Sequence, residues 1–204
     1  MRIPSLLLGL SLVLVAPTFS SCKPDNATPR EKLPPATDKG LETGGFRLDG
    51  VLWVALQQHL FAPRQVSASI IRAYDGQPGY ALSVFLYRSP VDEGYSNPGT
   101  TLILYVPNIT GPGRFELGQV VPTSIPSDWP AYGLYTAPDN YPGTVPYSSY
   151  YTGRGPGSTG HVLITRFDRT ARVVSGTFEF TAGTGSSQVK ITEGRFDAPL
   201  EVKF

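Results

Sequence analysis

Few side chains in this sequence could move a proton, attack a bond or hold a metal. His59 and His161 are the two histidines and Cys22 is the one cysteine. A Ser-His arrangement would have only those two imidazoles as bases. His161 opens an apolar, β-rich run and His59 lies in the apolar stretch Val51–Phe61, so both read as packing or surface histidines. Gly155-Pro156-Gly157-Ser158-Thr159-Gly160 has G-x-G-x-x-G spacing. That motif cradles a pyrophosphate only between a strand and a helix N-terminus. Here a Gly/Pro stretch precedes it and a β-rich run follows, so a loop is expected. Ser158 is no nucleophile elbow, because Pro156 stands where G-x-S-x-G needs glycine. Asp92-Glu93 sits in a turn-like stretch, and a glycosidase needs two carboxylates facing each other across a cleft. Nothing singles out such a pair among the acids. No calcium loop is present. No catalytic residue, metal ligand or cofactor is expected.

The densest unusual chemistry is aromatic. Residues 120–160 hold seven of the twenty prolines and six of the eleven tyrosines. Trp129, Tyr132, Tyr135, Tyr141 and Tyr147 are the candidate ligand-binding residues. Rings carried on Gly/Pro loops can stack on sugar or peptide with little ordering cost. Loops are also where binding residues gather. Three readings stay open, ranked in this order: the rings cover the core, they bind a glycan or peptide, or the insertion is a passive loop.

Overall composition narrows the partners. Seventeen Lys and Arg face sixteen Asp and Glu over 204 residues. That balance gives no electrostatic footprint for nucleic acid. The apolar share of 40% is too high for a wholly disordered chain. One cysteine excludes an intrachain disulfide framework and a Cys-rich zinc site.

Arg2 followed by the apolar run Leu6–Ala16 has the form of a signal h-region, too short to span a bilayer. Phe19-Ser20-Ser21 leads to Cys22, which resembles a bacterial lipoprotein signal, with Phe19 where Leu is more usual. The resemblance implies cleavage before Cys22 and lipidation of its thiol, so the membrane is the expected partner. The signal carries Arg2 and no acid, so sixteen basic and sixteen acidic residues remain after cleavage. Lys23-Pro24-Asp25 resembles a surface-export signal of Bacteroidota, and three residues do not choose a face of the membrane. Residues 22–45 are rich in proline and charge and poor in apolar side chains, so they are expected to form a lipidated flexible tether.

From residue 46 to 204 the pattern predicts a single domain. Asp49-Gly50, between Phe46–Leu48 and Val51–Trp53, is a hairpin signal. Val66–Tyr74 reads as a strand. Tyr80, Leu82, Val84 and Leu86 alternate on one face. Thr101–Val106 and Gly113–Gly118 are β-rich. His161–Phe167 and Arg172–Thr181 form a hairpin that should pair with 188–198 at the centre of an antiparallel sheet. Its buried face should hold Val162, Ile164, Val174, Phe178, Phe180, Ile191 and Phe196. Gly176 should mark a bulge or a close packing point. Val51–Phe61 is balanced between helix and strand. In the insertion around 120–149, only Ser148–Thr152 at the end reads as a core strand. Short strands with frequent turn signals predict an all-β antiparallel sandwich, Ig-like or jelly-roll-like.

Several segments in order resemble a family of Bacteroidota lipoproteins, domain of unknown function 6252. They are Leu33-Pro34-Pro35-Ala36-Thr37, then Leu48-Asp49-Gly50 with Trp53, then Ile164–Asp168, Val174–Phe180 and Ile191–Asp197. Members often carry a cysteine before the Asp-Gly turn, near where this chain has Leu48. The resemblance implies a lipid-anchored, β-rich protein of the envelope, and the outer membrane is its expected place. It carries no activity and no functional residues. The expected function is a non-catalytic binding or structural module of that membrane. The alternative is a hydrolase acting on an envelope or dietary glycan.

Overall fold

A computed structural model of the chain describes residues 32–57, 63–72, 79–89, 99–118, 130–138 and 147–203. These residues form eleven strands and no helix, so none of them lies in a helix long and apolar enough to cross a membrane. The strands are β1 (Thr43–Leu48), β2 (Val51–Val54), β3 (Val66–Arg72), β4 (Tyr80–Arg88), β5 (Thr100–Ile109) and β6 (Gly113–Leu117), followed by β7 (Tyr132–Pro138), β8 (Tyr147–Tyr151), β9 (Gly160–Asp168), β10 (Val173–Gly183) and β11 (Gln188–Lys203).

The strands make a β-sandwich. One layer runs β2-β1-β11-β10-β9-β6 and the other β3-β4-β5-β7-β8. Within each layer the pairings are antiparallel. The layers are sewn together at both sides. The end of β11 pairs in parallel with β3 at Leu200–Lys203, and Gly183 of β10 pairs with Tyr151 of β8. Inward side chains of both layers meet in one core, from Phe46, Phe178 and Phe196 on one side to Leu82, Leu102 and Leu104 on the other.

Each element follows from its sequence. Alternation of period two puts one apolar face inward. Leu82, Val84 and Leu86 of β4 are buried and Tyr80 packs at the rim. Asp49 and Gly50 both take positive φ, at 50° and 83°, which the two-residue turn between β1 and β2 requires. The β9–β10 hairpin pairs with β11 at the centre of its layer, and all seven residues expected on its buried face are at most 3% exposed. At Gly176 the β9–β10 register shifts, and a Cβ there would lie 2.4 Å from the Leu163 carbonyl oxygen, so the residue marks both a bulge and a close approach. Val51–Val54 is a strand, and Leu56 bridges to Arg88, so the first half of the ambiguous 51–61 stretch is β. Trp53, stacked on Phe46 at 4.4 Å, explains the choice: its ring pairs across the hairpin in the core.

Two expectations are corrected. The tether was expected to run to residue 45, but residues 33–42 are strapped across the outer face of the six-stranded layer and residues 43–45 already belong to β1. The insertion was expected to hold one strand near 148–152. It also holds β7, which pairs with β5 and β8.

Candidate functional site

The strap is held by a carboxylate. Asp197 follows inward-facing Phe196 on β11, so it points to the outer face, yet it is 1% exposed. The Thr37 hydroxyl donates to Oδ2 at 2.6 Å and the Gly40 amide to Oδ1 at 2.6 Å. The Lys39 and Leu41 amides donate to Oδ2 at 3.0 and 3.2 Å. The Ser175 hydroxyl donates to Oδ1 at 3.1 Å. Burial alone would push this carboxyl's pKa up. The Thr37 hydroxyl and the strap amides outweigh that and hold it below the usual aspartate value. Around the latch, Pro34 is buried with its carbonyl accepting from Arg195, and Arg166 donates to the Asp38 carbonyl while pairing with Asp168 at 3.0 Å.

Strap and sheet leave a groove of about 380 Å³ lined by Ala36, Thr37, Asp38, Thr165, Gly176 and Thr177. Its chemistry is spent on structure. The Thr37 hydroxyl is committed to Asp197 and the Thr165 hydroxyl to the Ser175 carbonyl. The groove holds one carboxylate, Asp38, where glycoside hydrolysis uses two. No group of three or more His, Cys, Asp or Glu among the described residues could hold a metal ion.

The remaining chemical candidates fall on a strand, on a folded loop or outside the described residues. Cys22, His59 and Asp92-Glu93 lie outside them. His161 stands between Glu116 and Glu179 on the outer face of the six-stranded layer. The Gly155–Gly160 segment closes on itself. The Ser158 hydroxyl donates to the Arg154 carbonyl at 2.6 Å, the Gln188 amide donates to the Pro156 carbonyl, and Thr159 N–H donates to Gly157. Strand β9 follows it directly from Gly160, with no helix N-terminus for a phosphate.

Trp129 and Tyr141 also lie outside the described residues. The other three candidate aromatics part company. Tyr132 and Tyr135 are three apart on one strand, so they point to opposite faces. Tyr135 is 4% exposed, edge-on to Phe46 at 6.1 Å, with its phenol bonded to Thr100. The ligand-binding reading needs it exposed; it is core, as the first-ranked reading has it. Tyr132 stacks on Tyr105 at 5.2 Å, and burial, with Tyr105 and Tyr151 close by, pushes its phenol up to about 12. Tyr147 is 44% exposed. These three do not form one patch.

Trp53 donates its indole N–H to the same Thr100 hydroxyl at 2.8 Å, so Thr100 joins two large core side chains. Tyr135→Phe should therefore cost about 1 kcal/mol, the net worth of one hydrogen bond, measured by urea unfolding. A cost near zero would mean that Thr100 satisfies Trp53 alone.

Sequence reasoning missed a second surface. The outward positions of β3, β4, β5, β7 and β8 bring together side chains that had been read only for their inward neighbours. Phe85, Ile103, Leu134 and Tyr151 are register partners in a row across four strands. The next row is Tyr87, Thr101, Thr136 and Ser149. The signal was present in the odd-numbered residues of Tyr80–Tyr87, where Phe85 and Tyr87 occupy what an exposed strand face would fill with polar groups.

Comparison of the chain with protein-family models, with curated proteins and with solved structures finds no match to any of them.

Proposed function

We propose that the protein is a lipid-anchored module of the bacterial cell envelope, attached through Cys22 to the outer membrane, that binds its ligand without transforming it. The observation that carries this reading is a division of labour between the two outer faces. The strap leading back toward Cys22 lies on the six-stranded layer, latched by Asp197. The five-stranded layer faces the other way and carries the uncharged rows described above. On this reading attachment belongs to one side and presentation to the other. The latch also sets the reach. Ten residue-to-residue steps separate Cys22 from Lys32. They extend at most about 35 Å at roughly 3.5 Å each, about half the reach of a tether ending at residue 45.

Cell fractionation tests the anchor. The parent chain should pellet with membranes and take up a palmitate analogue, and Cys22→Ala should move to the soluble fraction unlabelled. A parent chain that takes up no label, with a Cys22→Ala variant that still pellets, would overturn this reading.

A further inference from the structure

The two outer faces differ in chemistry. On the six-stranded layer, Arg47, Arg114, Glu116, Glu179, Lys190 and Arg195 point outward. On the five-stranded layer, none of the outward positions within Ser67–Ile71, Ala81–Tyr87, Thr101–Tyr105, Tyr132–Thr136 and Tyr147–Tyr151 carries a charge. An antiparallel sheet whose outer face meets water ordinarily shows polar side chains there. This face instead shows an apolar ridge beside a row of hydroxyls. Phe85, Tyr87, Ile103 and Leu134 are half-buried, and Tyr147 is 44% exposed. The Phe85 and Tyr87 rings of one strand stack within 8° of parallel, their centroids 6.4 Å apart. Burial, and after it the Tyr87 phenol, pushes the Tyr147 phenol up. Arg154 sits over the Tyr151 ring at 4.4 Å and closes that end.

We propose that this face binds a neutral polysaccharide, a ligand that rests on, and specifies, the binding-module reading above. The match is one of chemistry. A pyranose presents C–H faces to flat rings and hydroxyls at its rim. The ridge supplies the rings, and Thr101, Thr136 and Ser149 supply groups that both donate and accept. A ligand bearing phosphate or carboxylate would need cations inside the face, and among the described residues the one cation there, Arg154, stands at its end, stacked on Tyr151. Burial in lipid would strand the hydroxyls of the second row without partners. Adjacent strands are about 4.8 Å apart, so the row from Phe85 to Tyr151 spans about 14 Å. That length suits a short run of linked sugar rings.

The test is co-sedimentation of the full chain, in detergent, with cellulose, insoluble xylan and starch, and affinity electrophoresis in polygalacturonate as the acidic control. At least one neutral polysaccharide should retain the parent chain, and polygalacturonate should not retard it. Phe85→Ala with Tyr87→Ala should weaken retention about tenfold or more. Tyr87→Phe should keep most of it. Thr136→Glu, which puts a carboxylate on the face without removing a ring, should abolish retention at an unchanged melting temperature and guards against a double variant that fails to fold. Retention of the parent by none of the neutral polysaccharides would overturn the proposal. So would retardation by polygalacturonate alone, or a parent dimer that Thr136→Glu splits while no glycan binds, which would make the face a contact between two copies. The anchor is read separately: a chain that pellets through Cys22 but retains no glycan sinks this proposal and leaves attachment standing.

Discussion

Phe178→Ala should lower the unfolding free energy by about 3–5 kcal/mol in urea titrations at neutral pH. Phe178 is fully buried at the centre of β10, between Val162 of β9 and Gly194 of β11. Its ring lies 6.0 Å from Phe46, 6.1 Å from Phe180 and 6.4 Å from Phe196, centroid to centroid. The fold makes room for it on purpose: a Cβ at Gly194 would sit 2.4 Å from the Phe178 ring. Truncation removes the transfer energy of the ring and leaves a hole walled by three other rings and two paired strands. Those walls are held by sheet hydrogen bonds on both sides, so they can collapse little, and the cavity term is retained. A loss under about 1 kcal/mol would mean that the neighbouring rings close the gap and that the core is less tightly determined than the packing indicates.

The same region shows what could be read from sequence. The face that holds Phe178 was legible because apolar residues alternate along 161–181, and because the Asp168–Ala171 turn marks where one strand hands over to the next. Local pattern alone decides such elements. The strap was not legible. Residues 33–42 bury little apolar surface, and their partners are one carboxylate some 157 residues away and the sheet beneath it. Composition sees prolines and charges there and reads a tether, because it cannot see amide groups finding an acceptor. The blocks Leu33–Thr37 and Ile191–Asp197, far apart along the chain, meet in that contact through Thr37 and Asp197. Strand β7 was hidden for a different reason. Its Tyr132, Leu134 and Tyr135 stand among Gly and Pro, so the aromatic density suggested loop rings. Once the strand is known, the three-residue spacing of Tyr132 and Tyr135 sends one outward and the other into the core.

Asp197→Ala should cost about 3–5 kcal/mol at neutral pH, because it strips a buried, fully hydrogen-bonded charge from its donors. Two hydroxyls and three strap amides would lose their acceptor. The amides of residues 39–41 could recover water only if the strap lifts, so the variant should also be cleaved within 33–42 by a protease that leaves the parent intact. The pH dependence separates the charge from the shape. The folded carboxyl titrates below its ordinary value, so near pH 4 the unfolded chain binds more protons than the folded one. The contribution is therefore complete above the unfolded aspartate value of about 3.9 and is lost as pH falls through the lower, folded value. Asp197→Asn keeps the size and one acceptor oxygen but has no charge to lose. The parent's advantage over Asp197→Asn should be widest at neutral pH and narrow as the parent protonates. If that advantage is flat from pH 7 down to about pH 2, the latch owes nothing to its charge. If Asp197→Ala costs under about 1 kcal/mol and the strap stays resistant to cleavage, the strap is held by its other contacts: Arg195 on the Pro34 carbonyl, and Arg166 on the Asp38 carbonyl.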